Sequence, residues 1–77
     1  PVDDPLFGDA VRIVLKSGRG SASLLQRALS VGYTRGSRLV DIMTEQGILG
    51  PHVGSKAREI LMTVEQFEEA FPQYAEK

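Results

Sequence analysis

Between residues 22 and 46 the apolar residues form two helical repeats separated by only a short break, and this limits the fold more than any other feature. The first repeat runs from about Ala22 to Leu29, with Leu25, Ala28 and Leu29 inward, Gln26 and Arg27 outward, and Ser21 placed as its cap. Ser30, Val31 and Gly32 then interrupt the pattern as a tight turn. The second repeat runs from about Thr34 to Gln46 and stops at Gly47. Along it Gly36, Leu39, Val40 and Met43 form the stripe to be buried, while Thr34, Arg35, Arg38, Asp41 and Glu45 face out. A short helix, a glycine-containing turn and a longer helix make the helix-turn-helix pattern. Gly36 and Ser37 are small, which lets the two helices approach closely and leaves the flanking arginines unobstructed.

The flanking segments complete a small domain. Leu6, Phe7, Ala10, Val11, Val14 and Leu15 recur at helical spacing. Asp3 or Asp4 before Pro5 is a cap followed by proline at the first helical position, and Lys16 with Gly18 marks the end. Ser17–Gly20 reads as a flexible connector. After Gly47 the pattern turns to strand. Ile48–Leu49 and Glu59–Met62 are short apolar runs enclosing a loop with Pro51, Gly50 and Gly54, which suits a hairpin carrying Lys56 and Arg58 at or near its tip. Thr63 and Gln66 have capping-box spacing, so a last helix is expected from Val64 with Phe67, Phe71 and Tyr74 on its apolar side and Pro72 ending or bending it. The expected fold is α+β and mostly α. It is a winged helix-turn-helix with a three-helix core, a two-stranded wing and an extra C-terminal helix. Residues 1–77 form one domain, with the core at about 4–62 and the tail helix at about 64–74.

At 77 residues the chain has room for a single domain and a small core. Its 42% hydrophobic and 25% charged composition is that of a soluble globular domain. There is no cysteine, so no disulfide or thiolate metal site reinforces it, as in a reducing compartment. No apolar run approaches the roughly 20 residues of a membrane span, and no signal peptide opens the chain. Starting at Pro1, it reads as a piece of a longer protein.

The net charge of −1 hides a segregation. Residues 12–58 hold eight Lys and Arg against Asp41 and Glu45, a net of +6. The two ends hold eight Asp and Glu against Lys77, a net of −7. Such a dipole can turn a positive face toward a polyanion; on charge alone, a plainly solvated surface fits as well.

The exposed side of the second helix carries the chemistry. An arginine fork matches the O6 and N7 acceptors of guanine in the major groove, and recognition residues usually project from this part of a helix-turn-helix. Arg35 and Arg38 stand one turn apart there, with Thr34 and Ser37 able to bond phosphates or bases. Arg27, Lys56 and Arg58 supply further positive charge for the backbone or minor groove. Asp41 repels phosphate unless it accepts from a cytosine amino group or orients Arg38. Gly50–Lys56 looks like a phosphate loop only superficially, because its spacing is one residue short and its lysine follows the serine. His52 is the only histidine, and no nucleophile elbow is present. No enzyme, cofactor or metal is expected.

Leu25–Gln26–Arg27, Gly32–Tyr33–Thr34–Arg35, Arg38–Leu39–Val40–Asp41, Gly47–Ile48, Gly54–Ser55–Lys56 and Arg58–Glu59, with the opening Asp4–Pro5–Leu6–Phe7, resemble the C-terminal gamma domain of the FtsK/SpoIIIE DNA translocases. The resemblance covers roughly Asp4 to Met62. It implies a winged helix hanging from a hexameric motor at the division septum, in the cytoplasm, with the parent anchored in the inner membrane. It implies reading of short, G-rich, polar sequences on double-stranded DNA that orient the motor, and in some members contact with a tyrosine recombinase. It places the recognition positions on Thr34, Arg35, Arg38 and Asp41, and the wing positions on Lys56 and Arg58. No direct membrane contact is expected of the domain.

One copy is expected to bind weakly, with several side by side binding more tightly. The alternative is a protein-interaction module that docks through the acidic tail and the Phe67–Phe71–Tyr74 stripe, for example on a tyrosine recombinase. A generic transcription regulator is a weaker third reading.

Overall fold

A computed structural model describes residues 4–54 and 58–74. Among them the chain forms α1 (Phe7–Ser17), α2 (Ala22–Leu29), α3 (Tyr33–Glu45) and α4 (Val64–Ala70), followed by a 3-10 turn at Pro72–Tyr74. The domain is small and mostly helical.

The termini of these helices follow from who satisfies their end groups. Ser21 Oγ accepts from the Leu24 N–H at 3.3 Å, so α2 starts where expected. The α2 helix ends at Ser30, which adopts the left-handed conformation (φ 53°) and turns the chain toward α3. The α3 helix begins one residue earlier than expected, capped by Gly32 without a side-chain bond. Past its end Gly47 takes φ +80°, a conformation glycine adopts without steric cost. This lets the Ile48 N–H reach back to the Met43 carbonyl at 2.9 Å and sends the chain into its extended segment.

The start of α1 differs more. Asp4 Oδ1 accepts from the Leu6 N–H at 2.9 Å, and the Asp4 carbonyl accepts from the Phe7 N–H at 3.0 Å. Asp4 thus closes a turn ahead of the helix, and Pro5 lies in that turn instead of at the first helical position. Leu6 is the N-cap and has no side-chain cap bond. Asp3, the other candidate cap, lies outside the described residues.

The core gathers Phe7, Ala10, Val11 and Val14 of α1, Leu25 of α2, Leu39, Val40 and Met43 of α3, Ile48, Leu49, and Phe67 of α4. Ala28, expected inside, is exposed. Because α2 packs mainly on α3 and less on α1, its buried row narrows to Leu25 with Ala22 and Leu29 partly covered. The tightest approach is at Gly36, where a Cβ would stand 2.8 Å from the Ala22 carbonyl oxygen.

The extended segments pair through isolated antiparallel bridges. Leu49 bridges Ile60, with the Gly50 N–H donating to Glu59 O at 2.8 Å and the Leu61 N–H to Ile48 O at 2.9 Å. Gly20 bridges Arg58, so the connector after α1 is drawn into this pairing. Arg58 therefore sits within the paired region, next to the loop whose tip it was expected to be at or near. Residues 55–57, including Lys56, lie outside the described residues.

The tail docks on α1. Thr63 and Gln66 form the expected capping box, the Gln66 N–H donating to Thr63 Oγ1 and the Thr63 N–H to Gln66 Oε1. Proline cannot continue the helical ladder, and α4 ends two residues before Pro72. Phe7, Phe67, Phe71 and Tyr74 then form a ring cluster, with Phe67–Phe71 centroids 5.3 Å apart and Phe7–Tyr74 5.5 Å apart. Gly8 lets Tyr74 lie against α1, since a Cβ there would fall 2.9 Å from the tyrosine ring. Arg12 adds a clamp. Its Nη2 donates to the Tyr74 carbonyl and pairs with Glu68 Oε2 at 3.4 Å, while its guanidinium lies 5.9 Å from the Phe67 ring centre.

With Phe67 buried among these rings, Phe67→Ala is expected to cost about 3–5 kcal/mol. That is much of what a chain this size has in reserve, about 4–12 kcal/mol. Urea unfolding of the two proteins checks it, and a loss under 1 kcal/mol would mean that the tail is only loosely attached.

Candidate nucleic-acid interface

At about 100° per residue, the buried positions Gly36, Leu39, Val40 and Met43 cluster on one side of α3. Thr34, Arg38, Asp41 and Glu45, spaced four, three and four apart, line the opposite side as one exposed strip. A shallow, open depression follows this strip and takes in Asp4 and Pro5 from the segment before α1. Among the described residues Arg38 has no hydrogen-bond or ion-pair partner, so its donors face solvent from the middle of the strip. Three residues along a helix fall about 60° short of a full turn, which puts Arg35 at the strip's flank. Ser37 lies on the opposite flank and is half-buried.

Arg35 is engaged. Its Nε donates to Asp4 Oδ2 at 3.1 Å and its Nη2 to Asp4 Oδ1 at 2.7 Å, a two-point pair joining residues far apart in sequence. Nothing local in the sequence announces this partner. The Arg35 hydrogen bond holds the Asp4 carboxyl below its ordinary range against the opposing effect of burial, with smaller help from the Leu6 N–H and the charge of Arg38. The same pair raises Arg35.

At the other end of α3, Arg58 reaches across from the paired segment. Its Nη1 donates to Thr44 Oγ1 at 2.8 Å, and Thr44 in turn donates to the Val40 carbonyl at 3.1 Å. Its Nη2 stands 3.4 Å from Asp41 Oδ1, so Arg58 is the described ion-pair partner of Asp41, in the place where Arg38 was a candidate. The Arg58 side chain is 17% exposed and braces the helix. Arg27 lies exposed on α2. Arg12, counted with the basic segment by sequence, is spent on the tail. The structure thus brings Thr34, Arg35, Arg38 and Asp41 together, sets Arg58 beside Asp41, and keeps Arg27 on a separate helix.

Among the described residues no group of His, Asp and Glu could hold a metal ion, and no helix is long and apolar enough to cross a membrane. What remains is a surface: along the α3 strip, Arg38 has no partner among the described residues and stands between a threonine and a carboxylate. Comparison with known proteins gives this surface a family. Residues 2–63 match the family described as the Ftsk gamma domain, and the chain belongs to it. It is 44% identical over 68 residues to the DNA translocase SpoIIIE of Bacillus subtilis, covering 88% of this chain and 9% of that protein. It is 48% identical over 67 residues to the DNA translocase FtsK of Halalkalibacterium halodurans, covering 87% and 8%. With the DNA translocase FtsK of Borreliella burgdorferi it shares 47% over 62 residues, covering 80% and 8%. The chain spans less than a tenth of the length of these relatives. The family match ends at Thr63, the cap of α4.

Because the folded state holds Asp4 below its ordinary value of 3.8, the pair adds stability that is complete above that value and is lost as the pH falls through the depressed one. Asp4→Asn is therefore expected to melt below the parent near neutral pH, with the two curves converging in acid. Thermal melts from pH 7 to pH 2 check this, and a constant gap at all pH values would contradict it.

Proposed function

We propose that this chain is a winged helix-turn-helix domain that reads double-stranded DNA by laying the exposed strip of α3 in the major groove. α2, the turn after it and α3 supply the helix-turn-helix. The paired segments around Leu49 and Ile60, with the loop between them, supply the wing. The single observation that carries the reading is the unpartnered Arg38 at the centre of the α3 strip. A free fork in that position is suited to the O6 and N7 of a guanine. Thr34, one turn earlier, is placed for a phosphate or base edge. Asp41 is partly neutralised by Arg58, and this lowers its repulsion of phosphate while leaving it able to accept from a cytosine amino group. Arg27, Ser37 and Lys56 belong to the phosphate-gripping periphery, and Arg58 contributes charge from its braced position.

The relatives are DNA translocases by name, and this supports the setting we propose. The domain serves a chromosome-segregating DNA translocase, orients it on short G-rich polar sequences at cell division, and leaves the ATPase to another part of the parent. Several copies from a hexamer engage one site side by side, which raises a weak single-copy affinity. The domain acts in the cytoplasm, with the membrane anchor elsewhere in the parent. The protein-docking alternative, including a tyrosine recombinase, loses the aromatic half of the surface it relied on, because Phe67 is fully buried and Phe71 and Tyr74 are partly buried against the core, while Glu65 and Glu69 of the acidic tail stay exposed. No observation favours it here.

The test is a titration of the chain into a G-rich polar duplex and a scrambled duplex of equal length, at two salt concentrations. Salt-sensitive preference for the G-rich duplex is expected. Arg38→Ala should lose about 1–3 kcal/mol on that duplex and much of the preference. Equal binding of both duplexes by parent and variant would refute the assignment of α3.

A further inference from the structure

We propose that Asp4 is a positioning residue that sets DNA discrimination by holding Arg35 in a two-point pair at the flank of α3, keeping that guanidinium off the duplex. The inference rests on the α3 reading proposed above and names a residue outside the recognition helix as part of it. Arg35 sits in the first turn of α3, where a docked helix comes close to the phosphates. A free arginine there would grip any sequence, since phosphate contacts carry no base information and each one strengthens binding to every duplex. In this structure both oxygens of Asp4 are already on it, at 2.7 and 3.1 Å. The strip therefore offers one free arginine, Arg38, at its centre and keeps the second neutralised at its edge.

The acid's placement supports this role. Its side chain is 14% exposed, and its Oδ1 also accepts the Leu6 N–H at 2.9 Å. The turn leading into Phe7 thus fixes the carboxylate, and Phe7 is itself fully buried in the core. An ordinary surface pair has to order two flexible side chains at once, and this cancels most of its gain. Here the acid is ordered by its own backbone before the arginine arrives. Arg35 remains 45% exposed, so releasing it would free a cation at the surface and not bury one.

The test compares the 77-residue chain with Asp4→Asn, which keeps an oxygen for the Leu6 N–H while removing the charge. Each is titrated with the G-rich polar duplex and the scrambled duplex over a salt series. Affinity of Asp4→Asn for the scrambled duplex is expected to rise about 3- to 10-fold, with its log–log salt slope steeper by about one, as for one added phosphate contact. The G-rich duplex should gain less, so the preference falls. Adding Arg35→Gln to Asp4→Asn should return scrambled-duplex affinity and slope to those of the parent. Asp9→Asn makes the same charge change on α1 without freeing an arginine, and should produce a clearly smaller rise. An Asp4→Asn protein with the parent's slope and preference overturns the proposal but leaves the α3 reading intact, as does one matched by Asp9→Asn. So does a variant that melts lower and binds unchanged, because that outcome marks a purely structural pair. A parent chain with no salt-sensitive preference for either duplex overturns both. If the asparagine variant does not fold, Asp4→Ser carries the same comparison.

Discussion

The contact between α2 and α3 at Gly36 governs where everything else in this domain can lie. With a Cβ excluded by the Ala22 carbonyl, the two helices meet backbone to backbone, and a larger side chain would have to push them apart. At that distance Leu39, Val40 and Met43 enter the core together with Leu25. The same rotation that buries them turns Thr34, Arg38 and Asp41 to solvent. The exposure of this strip is thus a consequence of core packing on the other side of the same helix, and it needs no separate device.

Charged contacts then adjust that strip at its edges. Asp4 takes up Arg35 near the start of α3, and Arg58 partly offsets Asp41 farther along. Both partners come from segments outside the helix pair: one from the turn before α1, the other from the residues that bridge Gly20. Of the strip's two arginines, Arg38 is the one without a partner among the described residues. On the tail side, Arg12 and the four-ring cluster fasten α4 and the 3-10 turn to α1. Aromatic pairs of this kind contribute about 0.5–1.5 kcal/mol each beyond the area they bury. In a domain of 77 residues with no disulfide, such a cluster is a substantial share of the stability.

What could be read from the sequence was what local chemistry writes down. The span of α2 was legible because Ser21 supplies a side-chain cap and Ser30–Gly32 breaks the repeat. The capping box of α4 was legible for the same reason. The start of α3 was one residue off because Gly32 caps it with no side-chain signal. Pro5 drew the start of α1 two residues too early, since Asp4 spends its oxygen on a turn ahead of the helix. The α3 strip was legible from its periodicity alone. The placement of Arg58 was not, because bridge register depends on Gly20, which is distant in sequence and looked like a linker. The Asp4–Arg35 pair joins residues 31 apart and follows no local pattern. Counting charges along the chain also misplaced Arg12, which belongs to the basic segment in sequence and to the tail in space.

In the proposed mode of binding, DNA docks on the outer strip of α3 and not on the tail. Amide chemical-shift mapping of the labelled chain, titrated with a short G-rich duplex, tests it most directly. The largest shifts are expected at residues 33–41, smaller ones in the loop at 52–54, and little change from Val64 to Tyr74. Shifts centred on α4 and the ring cluster, with α3 silent, would contradict it.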